Sequence, residues 1–453
     1  MHRLTDLARA MFAAALEAVQ PQALLRQLEA TPDGLRVGGV CCAPRGRLVV
    51  VALGKAAPGL AAGLLAAMPR RPDAVFVLTS DGVPANAALA PHLRRAGHPL
   101  PDHRGVAATE ELLALLASLR PEDGVVLLLS GGASALLAAP LPGVELEEVV
   151  DVTRALQRAG AAIGELNVVR KHLLAATGGR LAAGCAAPIA TLVLSDVPGD
   201  DLATIASGPT VGDPSSFFDA LAVLERYELV GSFPRLARFF RTAAGDDQLE
   251  SAKPDDPRLQ RATTHLLGCN AQALEAAAAV ATGAGLRPVV LTRTLRGEAR
   301  KVGRILAAAG RAAGGSEPVA LLAGGETTVQ VRGSGCGGRN LELALAAAVE
   351  LQGVEELCLL AGATDGVDGG TPAAGAVVDG STVARGQGRG RDATAALEAN
   401  DSWGFFAATP EAILTGPTGT NVADLAFVLH AGGRPQRLLL EAFRHLPATP
   451  PPF

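Results

Sequence analysis

Lys55 is the residue whose type and position first suggest chemistry. Only four of the 40 Lys and Arg residues are lysines: Lys55, Lys171, Lys253 and Lys301. A chain that writes arginine wherever a generic positive charge serves keeps a lysine where a guanidinium cannot replace it. Lysine is a compact point charge with a tunable pKa, whereas arginine is a planar fork. Lys55 stands in LVVVALGKAAPGL, directly after an apolar run and at the mouth of a helix. In α/β proteins that position holds phosphate-binding groups. Lys253 and Lys301 read as surface residues.

Other polar clusters also follow apolar runs. Ser130, Gly131, Gly132, Ala133 and Ser134 follow Val125–Leu129. Glycines let backbone N–H groups turn toward an anion, two hydroxyls add donors, and a following helix adds its positive end. The loop is a phosphate cradle of a kind other than GxxxxGK[ST], which occurs nowhere in the chain. A Gly-Gly turn after a strand also has purely structural uses. Asn167, Arg170 and Lys171 share one helical face, with His172 beside them. That face suits a carboxylate or phosphate, or is simply a solvated basic face. Ser195–Asp201 (SDVPGDD) puts three acids at a strand end. Asp196 and Asp200 are the metal candidates there, since Mg²⁺ takes one or two carboxylates while phosphates supply the rest. The competing reading is a solvated turn.

The C-terminal half holds the densest cluster. Gly324–Thr328 (GGETT) places Glu326 as a third metal candidate, and Gly333–Asn340 (GSGCGGRN) leads into a helix near Asn340. Gly337 and Gly338 would present backbone N–H groups, and Arg339 would add a guanidinium at the helix start, an anion site twice over. Gly333, Gly335 and Gly338 also spell GxGxxG. No buried parallel strand precedes them, and no acid follows the next strand at the usual distance of about 20 residues, so the stretch reads as an anion loop and not a nicotinamide site. Ala363–Gly370 (ATDGVDGG) carries Asp365 and Asp368. The calcium-loop pattern is incomplete, so a catalytic carboxylate or Mg²⁺ ligand fits better than an EF-hand, beside a plain Asp-Gly turn. Thr415–Asp424 (TGPTGTNVAD) is read as a loop entering a helix. Thr418 and Asn421 could bind a hydroxy acid or phosphate there, or the segment is only a capped helix start. His98, beside a proline in GHPLPD, is given a secondary substrate or structural role.

The elements that must position these loops have α/β periodicity. Leu48–Leu53 is an apolar run typical of a parallel strand covered on both faces. Val125–Leu129, Ala190–Leu194, Val319–Ala323 and Leu357–Ala361 repeat the strand–loop–helix unit, which implies a mostly parallel sheet. Leu266–Gly268, an Ala-rich helix from Gln272 and Pro288–Leu291 open a second such series. A helix is expected over Thr5–Glu29 with Thr5 as its cap. At 453 residues the chain exceeds the size at which single cores stop growing. Two domains are therefore expected, at 1–241 and 259–453, with 242–258 as a polar boundary segment. Pro447–Phe453 is expected to fray.

Composition narrows the class. Hydrophobic residues make up 49% and charged residues 19%, as in a packed enzyme. A net charge of −5 and 3% aromatics argue against nucleic-acid binding. The six cysteines contain no CxxC pair and read as small buried hydrophobes in a reducing compartment. No apolar run approaches the ~20 residues of a membrane span, and no signal peptide is visible. The expected location is the cytoplasm. The inventory of phosphate-type loops, acids, a retained lysine and a helix-start arginine suits phosphoryl transfer. An NAD-dependent hydroxypyruvate reductase and a non-catalytic anion-binding protein are the readings from other classes.

The motifs resemble the glycerate 2-kinase family, whose C-terminal part is called the MOFRL domain. The matching stretches are ALGKA (52–56), GHPLPD (97–102), LLSGGASAL (128–136), LNVVRKHL (166–173), SDVPGDD (195–201), ASGPT (206–210), GGETTV (324–329), GGRNLE (337–342), ATDGVDG (363–369) and TGPTGTNVADL (415–425). They occur in the family's order. The resemblance implies an α/β chain of two domains, an N-terminal Rossmann-like doubly wound, mostly parallel sheet and a C-terminal MOFRL-type α/β domain, with the site in the cleft between them. It implies ATP-dependent phosphorylation of D-glycerate at the 2-hydroxyl with a divalent cation such as Mg²⁺. Family members are often labelled hydroxypyruvate reductases, a label the incomplete GxGxxG context argues against. On this reading Lys55 and Arg339 neutralise the transferring phosphoryl and the glycerate carboxylate, and Asp365 accepts the hydroxyl proton. The partners are D-glycerate and a nucleotide, with no nucleic acid and no membrane, and a homodimer is among the assemblies left open.

Overall fold

The structure, a computed structural model, describes residues 2–315 and 317–432. The C-terminal tail, Pro447–Phe453, lies outside the described residues. The chain divides into two compact units. One comprises residues 24–195 and 200–267, the other residues 1–23, 196–199 and 268–453. These bounds differ from the expected 1–241 and 259–453. The polar segment 242–258 is held inside the first unit, where Ala252 donates to the Gly178 carbonyl at 3.0 Å and accepts from Asp213 N at 2.8 Å. The switch instead falls at the end of a strand, between Leu267 and Gly268.

The first unit opens with a small antiparallel sheet of β1 (Glu29–Thr31), β2 (Gly34–Val37) and β3 (Val40–Cys42). Its main sheet contains β4 (Leu48–Leu53), β5 (Ala74–Ser80), β6 (Leu93–Ala96), β7 (Gly124–Ser130), β8 (Ile189–Leu194) and β9 (Ala262–Gly268) in the order β6-β5-β4-β7-β8-β9. The pairs β4–β5, β5–β6, β4–β7 and β7–β8 are all parallel. Every residue of β4, β7 and β8 is buried, which accounts for their unbroken apolar sequences. From β4 the chain winds outward through β5 and β6, then returns to the other side of β4 with β7. The order therefore reverses between β4 and β7, and in open α/β sheets ligands bind at the carboxyl ends of the strands at such a reversal. A helical layer including Leu146–Arg158, Ile163–Lys171, Phe217–Arg226 and Pro234–Ala243 builds its own core around Phe217 and Phe240.

The second unit is α/β, but its sheet is mixed where a mostly parallel one was expected. Its order is β10 (Arg287–Leu295), β11 (Val319–Gly325), β15 (Asp424–His430), β12 (Leu357–Ala363), β13 (Gly375–Asp379), β14 (Ala412–Ile413). Among the strands of the described residues only β10–β11 pair in parallel; β15 runs antiparallel to both β11 and β12, and β13 antiparallel to β12 and β14. The segment 415–425 was expected to enter a helix and enters β15 instead. Residues Asp424–Leu429 are all buried, as expected of a central strand covered on both faces. The first helix runs His2–Ala18, so Thr5 lies within it and does not cap it; the chain breaks at 19–20, and Pro21 starts a short second helix. The helix belongs to this C-terminal unit. Phe12 packs against Gly362 of β12, and Arg9 donates to the carbonyls of Pro410 and Glu411.

Among the described residues no helix is long and apolar enough to cross a membrane.

Candidate functional site

In the first unit the candidates gather at the carboxyl ends of β4 and β7, where the strand order reverses. Lys55 N donates to the Gly131 carbonyl at 2.9 Å, which fixes the loop after β4 to the loop after β7. Gly132 has φ +84°, and a Cβ built there would lie 3.2 Å from the His98 ring and 3.3 Å from Lys55 Cγ. The left-handed backbone favours glycine, and a Cβ would also press tightly on two side chains. The same geometry brings His98, just beyond β6, to Lys55. Ser130 is committed to structure: its hydroxyl donates to the Leu53 carbonyl and accepts from Ala56 N, both at 3.1 Å. The helix after Gly132 is one turn, Ala133–Leu136, so its dipole adds less than expected, and Gly131–Ser134 must act mainly through individual N–H groups and the Ser134 hydroxyl.

Ser134 Oγ lies 3.2 Å from Ser207 Oγ, which lies 3.1 Å from Asn167 Oδ1. Sequence reasoning did not single out Ser207; its φ of +58° in the ASGPT stretch brings it there. The Asn167, Arg170, Lys171 face is not a solvated basic face. Asn167 and Lys171 are buried, and Lys171 Nζ pairs with buried Asp213 at 3.4 Å. Burial works against the Asp213 carboxylate, yet Lys171, Ser215 and His172 together hold it below the usual range. Burial also lowers the Arg170 guanidinium below its ordinary value. Asp200, at φ +55°, is half-buried in the loop after β8.

In the second unit the antiparallel placement of β15 organises the site. Asp424, its first residue, is paired in register with Gly325 at the end of β11 and with Ala363 at the end of β12. Asp424 therefore sits between the loops that carry Glu326 and Asp365. The Arg339 guanidinium meets it side-on, Nε to Oδ2 at 2.5 Å and Nη2 to Oδ1 at 3.0 Å, while Nη1 meets Glu326 Oε1 at 2.5 Å. Both carboxylates hold the guanidinium well above its ordinary value against the effect of burial. Sequence reasoning missed Asp424. Its signal is a carboxylate opening a wholly apolar run, since a charge there must have a partner.

The helix Arg339–Glu350 begins as expected, but its N-terminus is not open to an anion. Asp368 accepts from Asn340 N at 3.1 Å and Leu341 N at 2.8 Å. Gly338 permits this approach: a Cβ there would stand 2.3 Å from Asp368 Cγ. Gly337 likewise packs on Ser402. The glycines of GxGxxG thus serve close packing, and β11 ends at Gly325, well before them. Asp365 Oδ1 accepts from Val367 N at 3.1 Å, and its carbonyl accepts from Thr418 N at 3.2 Å. The Thr418 hydroxyl donates to the Thr364 carbonyl at 2.6 Å, and Asn421 Nδ2 donates to Asp196 Oδ2 at 3.0 Å. Among the described residues no group of three or more His, Cys, Asp or Glu side chains is arranged to hold a metal.

Burial pushes the Asp368 carboxyl up to about 6, against the backbone N–H groups of Leu341 and Asn340 that favour its charged form. Between the ordinary carboxylate value and about 6 the folded chain holds a proton that the unfolded chain has released. Stability therefore falls as pH rises through that window. Asp368→Asn, which keeps an acceptor at the helix start but cannot titrate, is expected to lose less stability between pH 4 and pH 6 than the wild type does. Melting temperatures of both proteins across that range test this, and parallel curves would refute it.

The chain matches the "Domain of unknown function (DUF4147)" over residues 7–240 and the "MOFRL family" over residues 319–424. It is 39% identical over 390 residues to the D-glycerate 2-kinase of Thermotoga maritima, covering 84% of this chain and 89% of that protein. It is 41% identical over 396 residues to an Agrobacterium vitis protein bearing the name hydroxypyruvate reductase, covering 85% and 88%. The crystal structure of a Thermotoga maritima glycerate kinase superposes with a TM-score of 0.82 at 37% identity, covering 95% of this chain and 100% of that one.

Proposed function

The chain belongs to the MOFRL glycerate 2-kinase family, and from that premise we propose that it transfers the γ-phosphoryl group of ATP to the 2-hydroxyl of D-glycerate, giving 2-phosphoglycerate and ADP. The observation that carries this reading is Lys55 fixed beside Gly132 at the strand-order reversal of a parallel sheet. A compact cation among backbone N–H groups suits a phosphoryl group in flight, and neither a strand nor an acid completes a nicotinamide site around the GxGxxG. Gly131, Gly132, Ala133 and Ser134 receive nucleotide phosphates, with Asn167 and Arg170 on the adjoining helix in support, while Lys171 stays in its buried pair with Asp213. Lys55 neutralises the transferring phosphoryl, and Arg339 takes the glycerate carboxylate. Thr418 and Asn421 border the hydroxy acid, while Gly337 and Gly338 serve to pack Ser402 and Asp368 against the start of the Arg339 helix. The 2-oxygen bonds to Pγ, the bond from Pγ to the β,γ-bridging oxygen breaks, and the hydroxyl proton passes to Asp365.

Mg²⁺ is compatible with these residues because it needs only one or two carboxylates once phosphates and water complete its shell. Asp196, oriented by Asn421, would hold it, and Asp200 in the same loop is the second candidate. When bound, the ion would supply neutralisation of phosphate charge.

The test is ADP release from ATP·Mg²⁺ and D-glycerate, with the product passed to enolase in the absence of phosphoglycerate mutase. Enolase turnover is expected. ADP without an enolase signal would move the acceptor to the 3-hydroxyl. Absence of ADP together with NADH consumption on hydroxypyruvate would replace the kinase by a reductase.

A further inference from the structure

The guanidinium of Arg339 has two carboxylates at unequal depth. Asp424 is 8% exposed and grips the Nε/Nη2 edge, whereas Glu326 is 45% exposed and meets the guanidinium at Nη1. Side-on binding by Asp424 leaves the Nη1/Nη2 end of the fork as the edge a second anion can take. Glu326 occupies part of that edge.

We propose that Asp424 is the positioning residue of Arg339, and that Glu326 is a resident counter-ion which the carboxylate of the incoming substrate displaces. The inference rests on the kinase reading above and assigns Glu326 a role other than metal ligand. Three features support it. Asp424 is held by strand register on both sides and its side chain is 8% exposed, so the carboxylate has no open water to swing into. Glu326 lies just past the end of β11 on a more exposed loop, where a side chain can swing into water without unpairing a strand. Chemically, a glutamate carboxylate on a guanidinium is the same pair that a glycerate carboxylate would form. An arginine with no occupant on its outer edge would attract any passing anion; one with a weak internal occupant admits only an anion that competes well, and a substrate making further contacts does so.

The two carboxylates therefore predict effects of opposite sign. Glu326→Gln removes the competitor and keeps the side chain's shape. D-glycerate binding, measured by titration calorimetry without nucleotide, is expected to tighten by about two- to fivefold, the range of a partly exposed ion pair, with KM for D-glycerate falling in step. Asp424→Asn loses the charged side-on grip, and KM for D-glycerate is expected to rise on the order of thirtyfold or more, while KM for ATP changes little. A residue that only held the fold together would not separate the two substrates in this way. Should Asp424→Asn fail to fold, Glu326→Gln carries the test alone.

A Glu326→Gln enzyme that binds D-glycerate no more tightly than wild type, or that needs more Mg²⁺ for half-maximal rate, overturns the inference in favour of a metal ligand. A wild type that binds D-glycerate and forms ADP while the variant shows no tightening confines the failure to this inference. A wild type that does not bind D-glycerate overturns the kinase reading, and this inference with it.

Discussion

Lys55→Arg is expected to lower kcat by at least about a hundredfold, and Lys55→Ala by about a thousandfold, close to 4 kcal/mol of transition-state stabilisation. The arginine variant keeps the charge, so the loss would measure shape. Lys55 Cγ sits within 3.3 Å of where a Cβ on Gly132 would stand, and the His98 ring closes the same space. A guanidinium is wider than an ammonium and presents its donors in a fixed plane. In that confined loop it would displace the phosphoryl group instead of contacting it. Asp365→Asn is expected to cost less than Lys55→Ala, because a loose transition state asks little of the base. Steady-state kinetics with ATP·Mg²⁺ and D-glycerate check both comparisons. Near-wild-type turnover in Lys55→Arg would remove Lys55 from the phosphoryl site, and a larger loss for Asp365→Asn would reverse the assigned roles.

Arg339→Ala is the second large effect, and it would appear in stability as well as in rate. The substitution deletes the cation proposed to take the glycerate carboxylate and leaves the Asp424 carboxyl, which burial already pushes up, without its cation between β11 and β12. Breaking a buried pair from one side costs about 3–5 kcal/mol, and the lower end applies because the Arg339 side chain is a third exposed. The expected fall in melting temperature is roughly 6–12 °C, together with a loss of at least about a hundredfold in kcat/KM for D-glycerate. Arg339→Ala/Asp424→Leu, which removes both charges, is expected to recover most of the stability and none of the activity. Thermal melts and kinetics on the three proteins separate the two contributions. An Arg339→Ala chain that melts with the wild type would mean that Asp424 is not an uncompensated charge in its absence.

The sequence alone determined the parallel sheet of the first unit and the loops that follow its strands. Leu48–Leu53 and the runs around Val125–Leu129 and Ala190–Leu194 are apolar without interruption, and only strands buried on both faces need that pattern. Because those strands run parallel, the loops after them must share one end of the sheet, so Lys55 and Ser130–Ser134 were legible as lying at the same end, while the pairing of β4 with β7 that makes them neighbours was not. Sequence was a poorer guide where one residue's role depends on a distant partner. The retained Lys171 belongs to a buried pair with Asp213, 42 positions away, and helix periodicity cannot show that. The Gly333–Gly338 loop reads as an anion cradle, yet Asp368 already occupies the N–H groups of the helix it precedes. Above all, Asp424 follows a Gly/Thr loop that locally looks like a helix entrance. Its role was decided when β15 inserted antiparallel between β11 and β12. Local residue patterns record burial and turn chemistry within a few positions, whereas the order of strands in a sheet is settled by which apolar faces pack best across the whole unit. That packing brought Arg339 and Asp424 together across 85 positions of chain.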